Sequence, residues 1–140
     1  MAFGESAKRQ APTHGDSGPF LLLADDDTAV REVTAKILER AGYRLLKACD
    51  GQEAVELFRA HQDRIVAVLL DAVMPRKGGD DVFRELQQIR PNIPVIITTG
   101  DAHEDVRARF LGMGVVGFVE KPYEMRHLVS EVARAVGPAA

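Results

Sequence analysis

Residues 20–27, FLLLADDD, set an unbroken apolar run directly against three aspartates. A run with no polar alternation suits a strand covered on both faces, and such strands belong to parallel sheets flanked by helices. The same design recurs three times downstream. IVAVLL at 65–70 ends in Asp71, VIIT at 95–98 ends in Thr99, and GFVE at 117–120 ends in Lys121. In an open α/β sheet, ligands bind outside the carboxyl ends of the strands, so these polar residues are expected to converge on one pocket. Asp25, Asp26 and Asp71 would then crowd together. Three carboxylates repel one another unless a cation neutralises them, and oxygen ligands alone suit a hard ion such as Mg2+.

Between these runs the pattern is helical. Val30, Val33, Ile37, Leu38 and Ala41 recur at helical spacing, with Gly42 as the C-terminal cap. YRLLKA, 43–48, reads as the second strand; Asp50 and Glu53 then have capping-box spacing for a helix through Phe58. MPRKGG, 74–79, breaks the pattern before Val82, Leu86 and Ile89 mark a third helix, closed by Arg90-Pro91. Asp101 and Glu104 repeat the capping-box spacing for a fourth helix through Leu111. GVVGFVE, 114–120, is the fifth strand, and Leu128, Val129, Val132 and Val136 line a fifth helix. Five strands alternating with five helices predict an α/β, doubly wound, five-stranded parallel sheet with right-handed crossovers.

Four pieces in this order, LLLADDDTAVRE (21–32), LLDAVMPRKGG (69–79), PVIITTGD (94–101) and GFVEKPY (117–123), resemble the receiver domain of bacterial two-component response regulators. The resemblance runs from about Pro19 to Val136 and implies a flavodoxin-like sheet of order 2-1-3-4-5. It makes Asp71 the phosphoacceptor. Asp26 becomes a direct Mg2+ ligand, Asp25 one acting largely through water, and the Val73 backbone carbonyl a further ligand; Mn2+ can substitute. Thr99 corresponds to a hydroxyl that turns toward the phosphoryl group, Lys121 to the cation that pairs with it, and Phe118 to an aromatic switch. The Lys121-Pro122 bond is expected to be cis, a form accessible chiefly before proline. The implied partners are a histidine kinase or histidine phosphotransfer protein and a downstream protein target met by helix 4, strand 5 and helix 5. The implied role is signalling and not enzymatic turnover, with slow autodephosphorylation tuned at Val73 and Asp101. DAVMPRKGG is similar to receivers of hybrid sensor kinases, whereas the starting Met1 suits a single-domain regulator.

Each residue also has a plainer reading. Asp25, Asp26 and Asp27 could cap the first helix, and Asp27 is assigned that role alone. Asp71 has no such alternative, because MPRKGG intervenes before any helix. Thr98 and Thr99 point to opposite sheet faces, so only one reaches the pocket, and the resemblance selects Thr99. Lys121 could be a solvated lysine, although the proline after it fixes the turn. Phe118 could be ordinary core. His14, His61, His103 and His127 show no metal-ligand spacing. Two rival functions stand beside the receiver. One is a phosphorylation-independent scaffold. The other is a Mg2+-dependent phosphohydrolase of the haloacid dehalogenase type, whose Asp-x-Asp-x-Thr/Val motif meets Asp25 and Asp27 but finds Ala29 at its last position.

With 140 residues and 46% hydrophobic content, the chain has room for one domain with a real core. The expected division is a tail or linker at 1–18, a receiver domain at 19–137 and a short tail at 138–140. A formal net charge of −3 gives no electrostatic support for nucleic-acid binding. The single Cys49 excludes an intrachain disulfide, and no leader or membrane-length apolar stretch is seen, so a cytoplasmic location is expected.

Overall fold

A computed structural model describes residues 19–100 and 104–136. Strands β1 (Phe20–Ala24), β2 (Leu45–Ala48), β3 (Ile65–Asp71), β4 (Val95–Thr99) and β5 (Gly117–Glu120) alternate with five helices. These are α1 (Thr28–Arg40), α2 (Gly51–His61), α3 (Gly79–Ile89), α4 (Glu104–Met113) and α5 (Met125–Val136). All strand pairs are parallel, in the order β2-β1-β3-β4-β5. The doubly wound flavodoxin-like fold expected from the sequence is the observed one.

The pleat divides the core in two. Leu22, Ala24, Val68, Leu70, Ile97 and Phe118 meet Val55, Phe58, Val82, Phe83, Leu86 and Phe110 of α2, α3 and α4. Leu21, Leu23, Ala67, Leu69, Ile96 and Val119 meet Leu38 of α1 and Leu128 and Val132 of α5. Burial on both faces accounts for the absence of alternation in FLLLA and IVAVLL. The helices differ in attachment. α3 buries Gly79, Val82, Phe83 and Leu86, whereas α4 buries only Phe110 among its described residues.

Local signals act as the sequence suggests. α1 ends with Gly42 at φ 102°, its N–H donating to the Glu39 carbonyl at 3.0 Å while Tyr43 N–H reaches the Leu38 carbonyl at 3.0 Å. This glycine-ended closure satisfies the last carbonyls of the helix. At α2 the Asp50 side chain accepts from Glu53 N–H at 2.8 Å, and Glu53 Oε1 accepts from Cys49 N–H at 2.8 Å, one residue earlier than a strict capping box. The second strand is shorter than YRLLKA because Tyr43 is held by the α1 turn. The fifth begins at Gly117 and not Gly114, since Gly114 has φ 108° and ends the turn after α4. The proposed cap Asp101 and the tails at 1–18 and 138–140 lie outside the described residues.

Candidate functional site

Asp25, Asp71 and Lys121 each stand two residues beyond a side chain of the α1/α5 face, namely Leu23, Leu69 and Val119, so the pleat sends all three the same way. They meet at the carboxyl edge of the sheet. Lys121 Nζ lies 2.9 Å from Asp25 Oδ2 and 2.9 Å from Asp71 Oδ2. Asp25 is fully buried and Asp71 is 6% exposed. Asp26 is exposed beside them, and one carboxylate oxygen from each of the three acids lies within 4.8 Å of the others.

Capping does not explain this cluster. Asp27 is the N-cap of α1, its Oδ1 accepting from Val30 N–H at 3.1 Å. Asp25 Oδ1 accepts from Asp27 N–H at 2.9 Å, which folds the turn and leaves Oδ2 aimed at Lys121. Asp71 Oδ1 accepts from Val73 N–H at 3.1 Å. Val73 itself turns its side chain to solvent, 76% exposed.

The electrostatics are those of a partly buried, under-neutralised site. Burial pushes the Asp71 carboxyl above its ordinary value, and the charge of Asp25 adds to the rise; the hydrogen bonds from Lys121 and Val73 and the Lys121 charge oppose it. Burial works against the Lys121 ammonium, but hydrogen bonds to Asp25 and Asp71 and their charges outweigh it, holding its pKa above that of an ordinary lysine. Three acids thus face one ammonium. An oxygen-only donor set with residual negative charge fits a hard divalent cation.

Thr99 and Phe118 come from the other side of the pleat. Thr99 is 4% exposed, shares its face with Ile97 and Phe118, and links to the site through its carbonyl, which accepts from Lys121 N–H at 2.8 Å. Thr98, next to Ile97 and paired in register with Asp71, lies on the α1/α5 face of the sheet, the same face as Asp25, Asp71 and Lys121. Phe118 is 7% exposed, its ring turned inward against Phe110 at 6.2 Å in an edge-to-face arrangement. The Lys121-Pro122 peptide is cis. Asp101 lies outside the described residues.

Two supporting residues escaped the sequence reading. Arg31 Nη1 donates to the Asp25 carbonyl at 2.7 Å and anchors the β1–α1 turn. Gly79 starts α3 so close to the phosphoacceptor strand that a Cβ there would stand 2.7 Å from the Asp71 carbonyl oxygen and 2.9 Å from Ala72 Cα. The GG of MPRKGG signalled a break in the pattern but not this approach.

A response regulator receiver domain model matches residues 21–133. The chain belongs to that family. The receiver is 34% identical over 112 residues to response regulator MprA of Mycolicibacterium vanbaalenii, covering 80% of this chain and 48% of that protein. It is 34% identical over 112 residues to the transcriptional regulatory protein CpxR of Escherichia coli K12, covering 80% and 47%. It spans about half the length of these curated relatives. Among solved structures, a receiver domain protein from Clostridium thermocellum superimposes with a TM-score of 0.76 at 29% identity, over 84% of this chain and 94% of that one. A chain of the CheX-CheY-BeF3-Mg2+ complex from Borrelia burgdorferi gives 0.79 at 26%, over 84% and 89%. Receiver domains are signalling domains, so neither the phosphohydrolase nor the scaffold reading is favoured, and Asp27, the second acid the phosphohydrolase requires, is engaged as a cap. Among the described residues no helix is long and apolar enough to cross a membrane.

Proposed function

We propose that the chain is a phosphorylatable two-component receiver in which Asp71 accepts a phosphoryl group and a protein-binding face changes in response. The observation that best supports this reading is the ammonium of Lys121 set 2.9 Å from both Asp25 and Asp71 inside a three-carboxylate cluster. The domain is taken as residues 19–137, between short tails, and as acting in the cytoplasm. Its partners are a histidine kinase or histidine phosphotransfer protein and a downstream protein target. Neither the membrane nor nucleic acid is a partner in this reading, in keeping with the net charge of −3.

Asp25, Asp26 and Asp71, with the Val73 carbonyl, would hold Mg2+ or Mn2+, which when bound neutralises charge on the carboxylates and on the phosphoryl oxygens. An Asp71 oxygen forms a P–O bond as the P–N bond of a phosphohistidine breaks, the electron pair leaving on the imidazole nitrogen. Asp71 is held for this by the Val73 N–H, and Lys121 pairs with a phosphoryl oxygen in a charge-assisted hydrogen bond. The Thr99 hydroxyl turns toward the new oxygens, and Phe118 packs into the space it leaves, altering the surface of α4, β5 and α5.

The test is incubation of the chain with acetyl phosphate and Mg2+ followed by intact mass measurement. One added phosphate, absent without the metal and lost in Asp71→Asn, is expected; metal-independent behaviour with no Asp71 adduct would favour the scaffold.

A further inference from the structure

α4 is the least embedded helix of the receiver. It buries only Phe110, with Val106 and Met113 partly covered. Gln87 of α3 donates to the Met113 carbonyl at 3.5 Å, and two arginines add further attachments. The Arg107 guanidinium lies 5.1 Å from the centre of the Phe118 ring. Arg109 lies 4.8 Å from that of Phe110 and reaches across to Asp80 of α3 at 3.1 Å. Phe110 and Phe118 meet edge to face, so α3, α4 and β5 are joined through one run of charge and aromatic contacts. Arg107 is exposed and bonded to no other described group in this run, so its stack on Phe118 adds packing and cation–π attraction to the inward ring.

We propose that Arg107 is a positioning residue for Phe118: its guanidinium holds the ring inward and thereby strengthens binding of a phosphoryl group at Asp71. The proposal rests on the phosphoryl-acceptor reading above, in which the inward ring accompanies a Thr99 hydroxyl turned toward the phosphoryl group. A contact that favours the inward ring raises the fraction competent for phosphoryl binding and so strengthens that binding by up to the same factor. An exposed cation–π contact corresponds to about a two- to fivefold change in an equilibrium constant.

The experiment uses the full chain with Mg2+ and beryllofluoride, a stable stand-in for the phosphoryl group. Beryllofluoride affinity is measured for the parent, Arg107→Ala, Arg107→Lys and Asp71→Asn by titration calorimetry. In parallel, the ring-current shift of the Arg107 δ protons is read by NMR in the parent and in Phe118→Leu. Expected are an upfield Arg107 shift lost in Phe118→Leu, binding several-fold weaker in Arg107→Ala, and an intermediate value in Arg107→Lys. Equal affinity in the parent and Arg107→Ala, with binding still abolished by Asp71→Asn, overturns the role of Arg107 alone. No Asp71-dependent binding in the parent overturns the phosphoryl-acceptor reading and this proposal with it.

Discussion

Lys121 Nζ is 2.9 Å from Asp71 Oδ2, and the same ammonium is 2.9 Å from Asp25 Oδ2, so one cation ties the ends of three strands together. Removing it leaves two buried carboxylates without a counter-charge. Lys121→Ala is therefore expected to lose about 1–3 kcal/mol of stability without metal. Mg2+ should restore more stability to the variant than it adds to the parent, because the ion and the ammonium neutralise the same acids. Urea unfolding with and without Mg2+ checks this, and identical stabilisation of both proteins would remove Lys121 from the electrostatics of the site.

Asp26 and Asp27 are neighbours with separable roles. Asp26 is exposed beside the cluster, whereas Asp27 holds the first turn of α1 through Val30 N–H. Asp26→Asn should weaken Mg2+ binding at least several-fold and leave metal-free stability equal or higher, since one member of a repelling set is neutralised. Asp27→Ala should cost about 1 kcal/mol of stability, the usual loss for an N-cap, with little change in metal affinity. Paired metal titrations and unfolding curves decide the matter; the opposite assignment of effects would exchange the two roles.

Gly79 and Gly100 make a further contrast. A methyl group at Gly79 meets backbone at 2.7 and 2.9 Å, whereas one at Gly100 meets nothing within 4 Å among the described residues. Gly79→Ala should cost about 1–3 kcal/mol and displace Asp71, because backbone cannot yield as a flexible side chain does. Gly100→Ala should be nearly neutral in stability. Thermal unfolding and the extent of acetyl phosphate labelling report on both, and a fully stable, fully labelled Gly79→Ala would contradict the packing.

These contrasts also mark how far the sequence could be read. The strand runs, the strand-end positions of Asp25, Asp71, Thr99 and Lys121, and the caps at Asp27 and Asp50 follow from local periodicity and hydrogen-bonding chemistry. The sheet order came from family resemblance. Arg31, Gly79 and Arg107 act through contacts with residues that only tertiary folding brings near, and no local pattern announces such contacts. The separate duties of Asp25 and Asp27 likewise needed the direction of each side chain, which three consecutive aspartates do not reveal.

His61, at the end of α2 against the Phe20 ring, has its pKa lowered by burial and then by Arg64. The folded state thus binds a proton less readily than the unfolded state. The sign follows from linkage: stability falls as pH drops from the ordinary histidine value of about 6.5 through the lowered one, and levels off below it. His61→Gln should show a smaller loss of urea resistance between pH 7.5 and 5. Parallel pH curves for parent and variant would show that His61 does not titrate differently on folding.

Hydrolysis of an acyl phosphate on Asp71 would need a water held in line with phosphorus, and the residue two positions beyond Asp71 is the apolar Val73. Val73 is 76% exposed, two residues beyond Asp71, and its N–H is engaged with Asp71 Oδ1. An apolar group there cannot orient water, so the phosphorylated receiver is expected to decay slowly, and Val73→Asn to decay several-fold faster. Because Val73 is exposed, this substitution should leave stability nearly unchanged, so a faster decay can be assigned to water positioning and not to a loosened fold. Asp101, two residues beyond Thr99 in the sequence, is the other residue proposed to hold such a water. If Asp101 already holds it, Asp101→Ala lengthens the lifetime while Val73→Asn changes little. Decay of the phosphorylated mass measured for both variants and the parent distinguishes these outcomes, and equal rates in all three would show that neither side chain governs hydrolysis.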